Sequence, residues 1–240
     1  MEMNSKEYWE RRFAEKDWEN SSGRQQSAYF ARLFAQNAPE WLTRYVNGGN
    51  YSVVDLGCAE GDGTAVLTEI FTGAVSGIDF SESAVRTAKT LYPRLSFAAE
   101  DIRNLSGGGD VAFISNVLEH FEDPSAVLSA VAKRVNHAII VLVPFEESPL
   151  YTEHVFSFHY HNIPVEIADF RLVYFNGIAR ETGRSYYDGR QMMLIYVKNE
   201  ESAAGLLNIE AVPFVPEWGG REGYSALWHK VYGEKSAPDS

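Results

Sequence analysis

The chain has 240 residues, of which 45% are apolar and 22% charged, and it carries a formal net charge of −12. That composition is ordinary for a globular protein and supports one sizeable core without metals or disulfides. The lone cysteine, Cys58, excludes an intramolecular disulfide, and no uncharged apolar run reaches the roughly 18–20 residues of a membrane span; the acidic balance argues against DNA or RNA as partner. The densest basic cluster, Arg180, Arg184 and Arg190, is interleaved with Glu181 and Asp188 and reads as a solvated hairpin. The opening segment, Met1 to Lys16, is charged and lacks the apolar centre of a signal peptide, so a cytoplasmic location is expected.

Residues 5–46 read as helices, with Tyr8, Trp9, Arg12 and Phe13 and then Tyr29, Phe30, Leu33 and Phe34 at helical spacing. Asn20-Ser21-Ser22-Gly23 breaks them, and Pro39 opens a short helix over 40–46. After the turn-rich stretch 47–50 the rhythm changes. Apolar strand-like runs at 51–56, 74–79, 95–99, 110–115 and 138–143 alternate with helical stretches near 63–71, 82–91 and 124–135. Ser81 and Asp123-Pro124 supply helix N-terminal signals. Such alternation predicts an α/β fold, a doubly wound, Rossmann-like, mostly parallel sheet covered on both faces. Runs at 171–178 and 190–198 predict an antiparallel hairpin at the sheet edge. Pro213, Pro216, Gly219 and Gly220 argue against one long helix in 199–240, where a short strand or extended arm is expected, with a frayed tail after Gly233. The organisation expected is an N-terminal helical cap or lid (1–46), a core (47–198) and a C-terminal extension (199–240).

The most informative stretch is Val53-Val54-Asp55-Leu56-Gly57-Cys58-Ala59-Glu60-Gly61-Asp62-Gly63-Thr64, a buried strand running through a glycine-rich turn into a helix. In a doubly wound fold this turn lies at the carboxyl edge of the first strand, where ligands bind. A dinucleotide fingerprint needs glycines at 57, 59 and 62, and only Gly57 qualifies. Asp62 would also place a carboxylate where a pyrophosphate meets the helix N-terminus. Acidic residues around the turn suit a cationic, phosphate-free nucleoside such as S-adenosylmethionine.

Asp55-Leu56-Gly57-Cys58-Ala59-Glu60-Gly61 resembles the first motif of class I S-adenosylmethionine-dependent methyltransferases, with Ala59 in place of the middle glycine. Three further stretches follow in the family's order: Ser76-Gly77-Ile78-Asp79-Phe80-Ser81, Ala99-Glu100-Asp101-Ile102-Arg103-Asn104-Leu105 and Ile114-Ser115-Asn116-Val117-Leu118-Glu119-His120. The resemblance covers residues 51–145 closely. It implies S-adenosylmethionine as cofactor, lined by Gly57, Cys58 and Gly61, with Asp55 facing its amino group. It implies further that Asp79 accepts both ribose hydroxyls beside Phe80. Asp101 would accept from the adenine amine with Ile102 against the ring, and Asn116 and Val117 would border the methionine part.

The activity so implied is methyl transfer by in-line displacement to an O- or N-nucleophile of a small-molecule acceptor, neutral or cationic in view of the acidic surface. An oxygen acceptor needs a base. Candidates are His120, after the fourth strand, and His154, in the run Glu153 to His161 that also holds His159 and His161. That run lacks a recognised metal-ligand spacing, and no metal is assigned. Tyr8, Trp9 and Phe13 either pack against the core or close over the cofactor, with Arg12 a candidate for its carboxylate. Trp218, Tyr224 and Trp228 either wall a substrate pocket or anchor the tail. Two other readings stay open: a nicotinamide-dependent reductase on a similar sheet, and a non-catalytic cofactor-binding partner protein.

Overall fold

The computed structural model describes residues 1–178, 189–198 and 221–233. Four helices come first: α1 (Lys6–Ala14), α2 (Asp17–Asn20), α3 (Gly23–Asn37) and α4 (Glu40–Gly48). Then strands β1 (Val53–Leu56), β2 (Val75–Asp79), β3 (Ser96–Ala99), β4 (Gly109–Ser115) and β5 (Val135–Phe145) alternate with helices α5 (Asp62–Leu67), α6 (Glu82–Leu91) and α7 (Pro124–Ala132). Strands β6 (Glu166–Ile167), β7 (Phe170–Ile178) and β8 (Arg190–Lys198) and helix α8 (Arg221–Tyr232) complete the described elements.

The strands form a sheet in the order β3-β2-β1-β4-β5-β8-β7-β6. Strands β1 to β5 are parallel, and β8 runs antiparallel between β5 and β7. The sequence expectation of a doubly wound sheet with an antiparallel hairpin is met. The period-two alternation of a strand explains how runs apolar throughout serve two cores. On β5, Ile139, Val141 and Val143 face the side covered by α7 and α8, while Ala138, Ile140 and Leu142 face the side covered by α3 and α4.

Local chemistry fixes the helix starts. Ser81 Oγ accepts from the Ala84 amide at 3.1 Å and Asp123 Oδ1 from the Ala126 amide at 2.9 Å, with Pro124 opening α7. Helix α5 stops at Leu67, short of the expected 71, because bonding tightens to i→i−3 at Thr68, Glu69 and Ile70. The N-terminal region carries a break at Lys16, in the left-handed region at φ 61°, that its helical spacing did not signal. The extended arm expected in 199–240 is corrected within the described part: residues 221–232 are helical. Tyr224, Leu227, Trp228 and Val231 lie at i, i+3, i+4 and i+7 and pack into the core. The expectations for 199–220, for the tail beyond 233, and for Arg180, Arg184 and Trp218 lie outside the described residues.

The order in which strands are added to the sheet reverses between β1 and β4. One crossover leads toward β2 and β3, the other toward β5, which leaves a crevice at the strands' carboxyl ends. The turn after β1 enters that crevice, and its geometry depends on Gly61, at φ +85°. A Cβ there would lie 2.8 Å from Phe97 Cζ. Gly61→Ala is expected to lower stability by about 1–3 kcal/mol, read as a fall in urea midpoint at constant slope. An unchanged midpoint would mean that the turn relaxes without strain.

Candidate active site

The carboxyl ends of β1, β2 and β4, roofed by α1, enclose a cavity of about 1780 Å³. Ordinary ligand sites occupy roughly 300–1,000 Å³. There is room for a nucleoside and a second molecule side by side.

The turn after β1 is built by backbone bonds. The Gly57 and Cys58 amides donate to Ile78 O at 2.7 and 3.0 Å, and the Ala59 amide donates to Asp79 Oδ2 at 2.9 Å. Gly57 sits at φ +80°, where a Cβ would lie 2.4 Å from Val117 Cγ2. Ala59 sits at φ +48°, a left-handed conformation that the family's glycine would adopt without strain. Asp79 Oδ1 accepts from the Ser81 amide at 2.9 Å, so each oxygen of this carboxylate holds one backbone amide. Asp55 Oδ2 accepts from Thr64 Oγ1 at 2.6 Å.

Both acids are buried, and no ion pair reaches either among the described residues. Burial raises Asp55 to about 7, with the Asp79 charge adding and Thr64 opposing; burial likewise raises Asp79 to about 6 against the pull of the Ser81 and Ala59 amides. Burial also pushes the Cys58 thiol up, which keeps it protonated and unreactive. Two buried carboxylates without a cation, beside a turn whose backbone is open to a ligand, fit a positively charged, hydroxyl-bearing nucleoside.

The remaining sequence candidates divide. Asp55, Gly57, Cys58, Asp79, Phe80, Asp101, Ile102, Asn116 and Val117 all line the cavity, as do His120 and His154. Gly61 does not; its missing side chain makes room for Phe97 and Tyr92 behind the turn. Asp62, counted at sequence level among the acids suited to a cation, is engaged elsewhere. It takes both Arg24 Nε and Nη2, at 3.0 and 2.9 Å, and the Tyr92 hydroxyl at 2.7 Å. Asp101 holds Arg103 through the backbone amide and the guanidinium, which keeps its carboxyl below the usual range. Asn116, at φ +52°, accepts from Gln191 Nε2 at 3.1 Å.

At the other end, His120 and His154 meet edge to face with ring centroids 5.1 Å apart. His120 Nδ1 lies 3.0 Å from the Glu153 carbonyl oxygen, an acceptor only, so this nitrogen carries the proton. Burial holds His120 down at about 4, and the Trp9 ring packs on it at 5.2 Å. His154 Nδ1 lies 2.7 Å from Glu147 Oε2. His159 and His161 stack on each other at 5.2 Å and do not line the cavity.

Three acids here escaped the sequence reading. Glu119, fully buried with neither carboxylate oxygen hydrogen-bonded, is pushed up to about 8 by burial. Glu147 orients His154, and Glu153 ties down the roof. Its carboxylate takes the Tyr8 hydroxyl and Arg12 Nη1, and its carbonyl takes Asn4 Nδ2 at 2.7 Å. Arg12 is thus committed to Glu153 and Asp17 rather than presented to a ligand carboxylate. Glu119 and Glu153 lay inside stretches already singled out for their histidines, but the pairing that gives them meaning is long-range.

A carboxyl raised by burial contributes stability below its unfolded pKa, near ~4, that is lost as pH rises through the folded value of about 7. Asp55→Asn keeps an acceptor for Thr64 and removes the titration. Its thermal midpoint is expected to match the wild type at pH 4 and to exceed it progressively toward pH 8. A constant difference across that range would show that Asp55 is ionised in the fold throughout.

Residues 53–137 match the methyltransferase domain family. Trans-aconitate 2-methyltransferase of Azoarcus sp. (strain BH72) is 31% identical over 107 residues, 43% of this chain and 42% of that protein. The Escherichia coli (strain 55989 / EAEC) trans-aconitate 2-methyltransferase is 28% identical over 130 residues, 53% of this chain and 52% of its own length. The chain spans about half the length of these curated relatives. Among solved structures, magnesium protoporphyrin IX methyltransferase from Synechocystis PCC 6803 with bound SAH superposes with a TM-score of 0.57 at 20% identity, covering 76% of this chain and 97% of that one. The N-methyltransferase NodS from Bradyrhizobium japonicum WM9 gives 0.52 at 18% identity, covering 67% and 85%. The match to the methyltransferase domain family is thus confined to residues 53–137, and it falls on a Rossmann-like sheet of the kind these solved methyltransferases share.

Proposed function

We propose that this protein transfers the methyl group of S-adenosylmethionine to a small-molecule acceptor by in-line displacement. The observation that carries the reading is the pair of buried carboxylates, Asp55 and Asp79, without a cation beside a cavity of about 1780 Å³. When bound, the cofactor supplies an activated methyl group on a cationic sulfur, so the protein's task is positioning and exclusion of water. Asp79 has lone pairs left for two ribose hydroxyls, and Asp55 for the amino group. Asp101 and Ile102 border the adenine, and Phe80 lies on the ribose side. Asn116 and Val117 border the methionine chain, with the Gly57–Cys58 backbone beneath. Gly61 supports the turn from behind. Helices 1–46 act as a cap whose α1 closes the cavity; 47–198 is the catalytic core and 199–240 an extension.

The acceptor end is the cluster of His120, His154 and Glu119, which handles the acceptor's proton as a unit. The acidic balance of the chain as a whole suits a neutral or cationic acceptor better than a polycarboxylate. The net charge of −12 disfavours nucleic acid. Among the described residues no helix is long and apolar enough to cross a membrane, and a cytoplasmic location is part of the proposal. A nicotinamide dinucleotide is a poorer fit, because the turn after β1 lacks the glycines at 59 and 62 that its diphosphate requires.

Calorimetric titration of the purified chain with S-adenosylhomocysteine is the test. Binding is expected in the wild type and to weaken about 10- to 100-fold in Asp79→Ala, the loss of one or two hydrogen bonds to a charged group. Tight NADH binding without S-adenosylhomocysteine binding overturns the reading, and unaltered affinity in the variant overturns the ribose assignment.

A further inference from the structure

The walls of the acceptor end are drawn together by the backbone. The amides of Val155 and Phe156 both donate to Glu119 O, at 2.9 and 3.1 Å. This straps the loop carrying His154 onto the short 3₁₀ turn Leu118–His120, which brings a carboxylate and two imidazoles from distant parts of the chain to one point. A donor atom from each of Glu119, His120 and His154 lies within 4.8 Å of the others.

Three features of this cluster ask for an electrophile at its centre. Glu119 is fully buried, yet neither of its oxygens accepts a hydrogen bond. A carboxylate in that position is costly unless a cation joins it. Each imidazole is held through Nδ1, His154 by the Glu147 carboxylate at 2.7 Å and His120 by the Glu153 carbonyl at 3.0 Å. An acceptor on Nδ1 fixes the tautomer with its lone pair on Nε2, the arrangement that carboxylate and carbonyl partners impose on metal-bound histidines. His154 Nε2 accordingly lies on the side of Glu119, 3.9 Å from Oε1.

We propose that Glu119, His120 and His154 form a binding site for a divalent transition-metal ion at the acceptor end of the cavity. Two imidazoles and one carboxylate suit Zn²⁺, Mn²⁺, Fe²⁺ or Co²⁺ better than Mg²⁺ or Ca²⁺, which prefer all-oxygen sets. With metal–ligand bonds of about 2.0–2.1 Å, tetrahedral donors stand roughly 3.4 Å apart, so side-chain rotations of about an ångström close the site. Three protein ligands leave a coordination position open toward the cavity, where an oxygen of the acceptor can bind. That last role rests on the methyl-transfer reading; the metal site itself does not. It assigns both histidines as ligands, and it gives Glu147 and the Glu153 carbonyl the work of orienting them.

The experiment is titration of the tag-free full chain, freed of metal by chelator dialysis, with Co²⁺. Visible absorption and thermal midpoint are followed, with S-adenosylhomocysteine affinity measured on the same samples. One equivalent of Co²⁺ is expected to give ligand-field bands and a raised midpoint, and Zn²⁺ to displace it. Glu119→Gln, isosteric with the wild type, should lose the bands while keeping its circular dichroism and its S-adenosylhomocysteine affinity. Glu147→Gln, which leaves the three ligands in place, should weaken Co²⁺ about 10- to 100-fold. His159→Ala, outside the cavity, should bind Co²⁺ as the wild type does. Absence of binding at one equivalent, or binding unchanged in Glu119→Gln, overturns the metal site. S-adenosylhomocysteine binding in the same sample then leaves the methyl-transfer reading standing, while Co²⁺ binding without it separates the two in the other direction.

Discussion

One hydrogen bond organises the crevice: the Ala59 amide on the buried carboxylate of Asp79. It joins the turn after β1 to the end of β2, and it can form only because the chain bends back through left-handed conformations at Gly57, Ala59 and Gly61. The same bend delivers the Gly57 and Cys58 amides to Ile78 O, so two adjacent parallel strands are fastened beyond their last ladder bond. Asp79 is thereby held where solvent cannot relax its charge. Its proton affinity rises for that reason, and a bound cation or hydroxyl is favoured for the same reason.

A parallel economy governs the opposite wall. Glu153 spends its side chain on the N-terminal helix and its carbonyl on His120 and Asn4. Helix α1 gains little from the core on its own, since the hydrophobic cluster beneath it is small: Trp9 and Phe13 with Ala59 and Ala84. Its position over the cavity therefore depends on polar anchors as much as on ring packing. Glu10 contributes from the other face by taking the Ser81 and Ser83 hydroxyls, which leaves its carboxyl below the usual range through those bonds despite partial burial.

Much of this was legible from residues alone, because the fold's signals are local. Apolar runs buried on both faces announce parallel strands, capping residues such as Ser81 and Asp123 mark helix starts, and the spacing of Asp55, Gly57, Asp79 and Asp101 follows chain order through the crossovers. What stayed hidden depends on contacts far apart in sequence. Asp62 looked like part of an acidic rim, yet Arg24, 38 residues earlier, claims it. Gly61 looked like a ligand contact and is instead a clearance for Phe97. Helix α8 was obscured by the prolines and glycines that precede it, although its apolar spacing at 224, 227, 228 and 231 was present. Glu119 carried no signal as a lone acid; only the backbone strap from Val155 and Phe156 brings a second imidazole, His154, beside it and His120.

The position of Glu153 has a mechanical corollary. Its carboxylate grips Tyr8 and Arg12 while its carbonyl sets the tautomer of His120. Any outward swing of the first helix must part those grips, and the residue released is the one that steadies the imidazole. A molecule admitted by that route would therefore loosen, in the same movement, the contact that steadies His120.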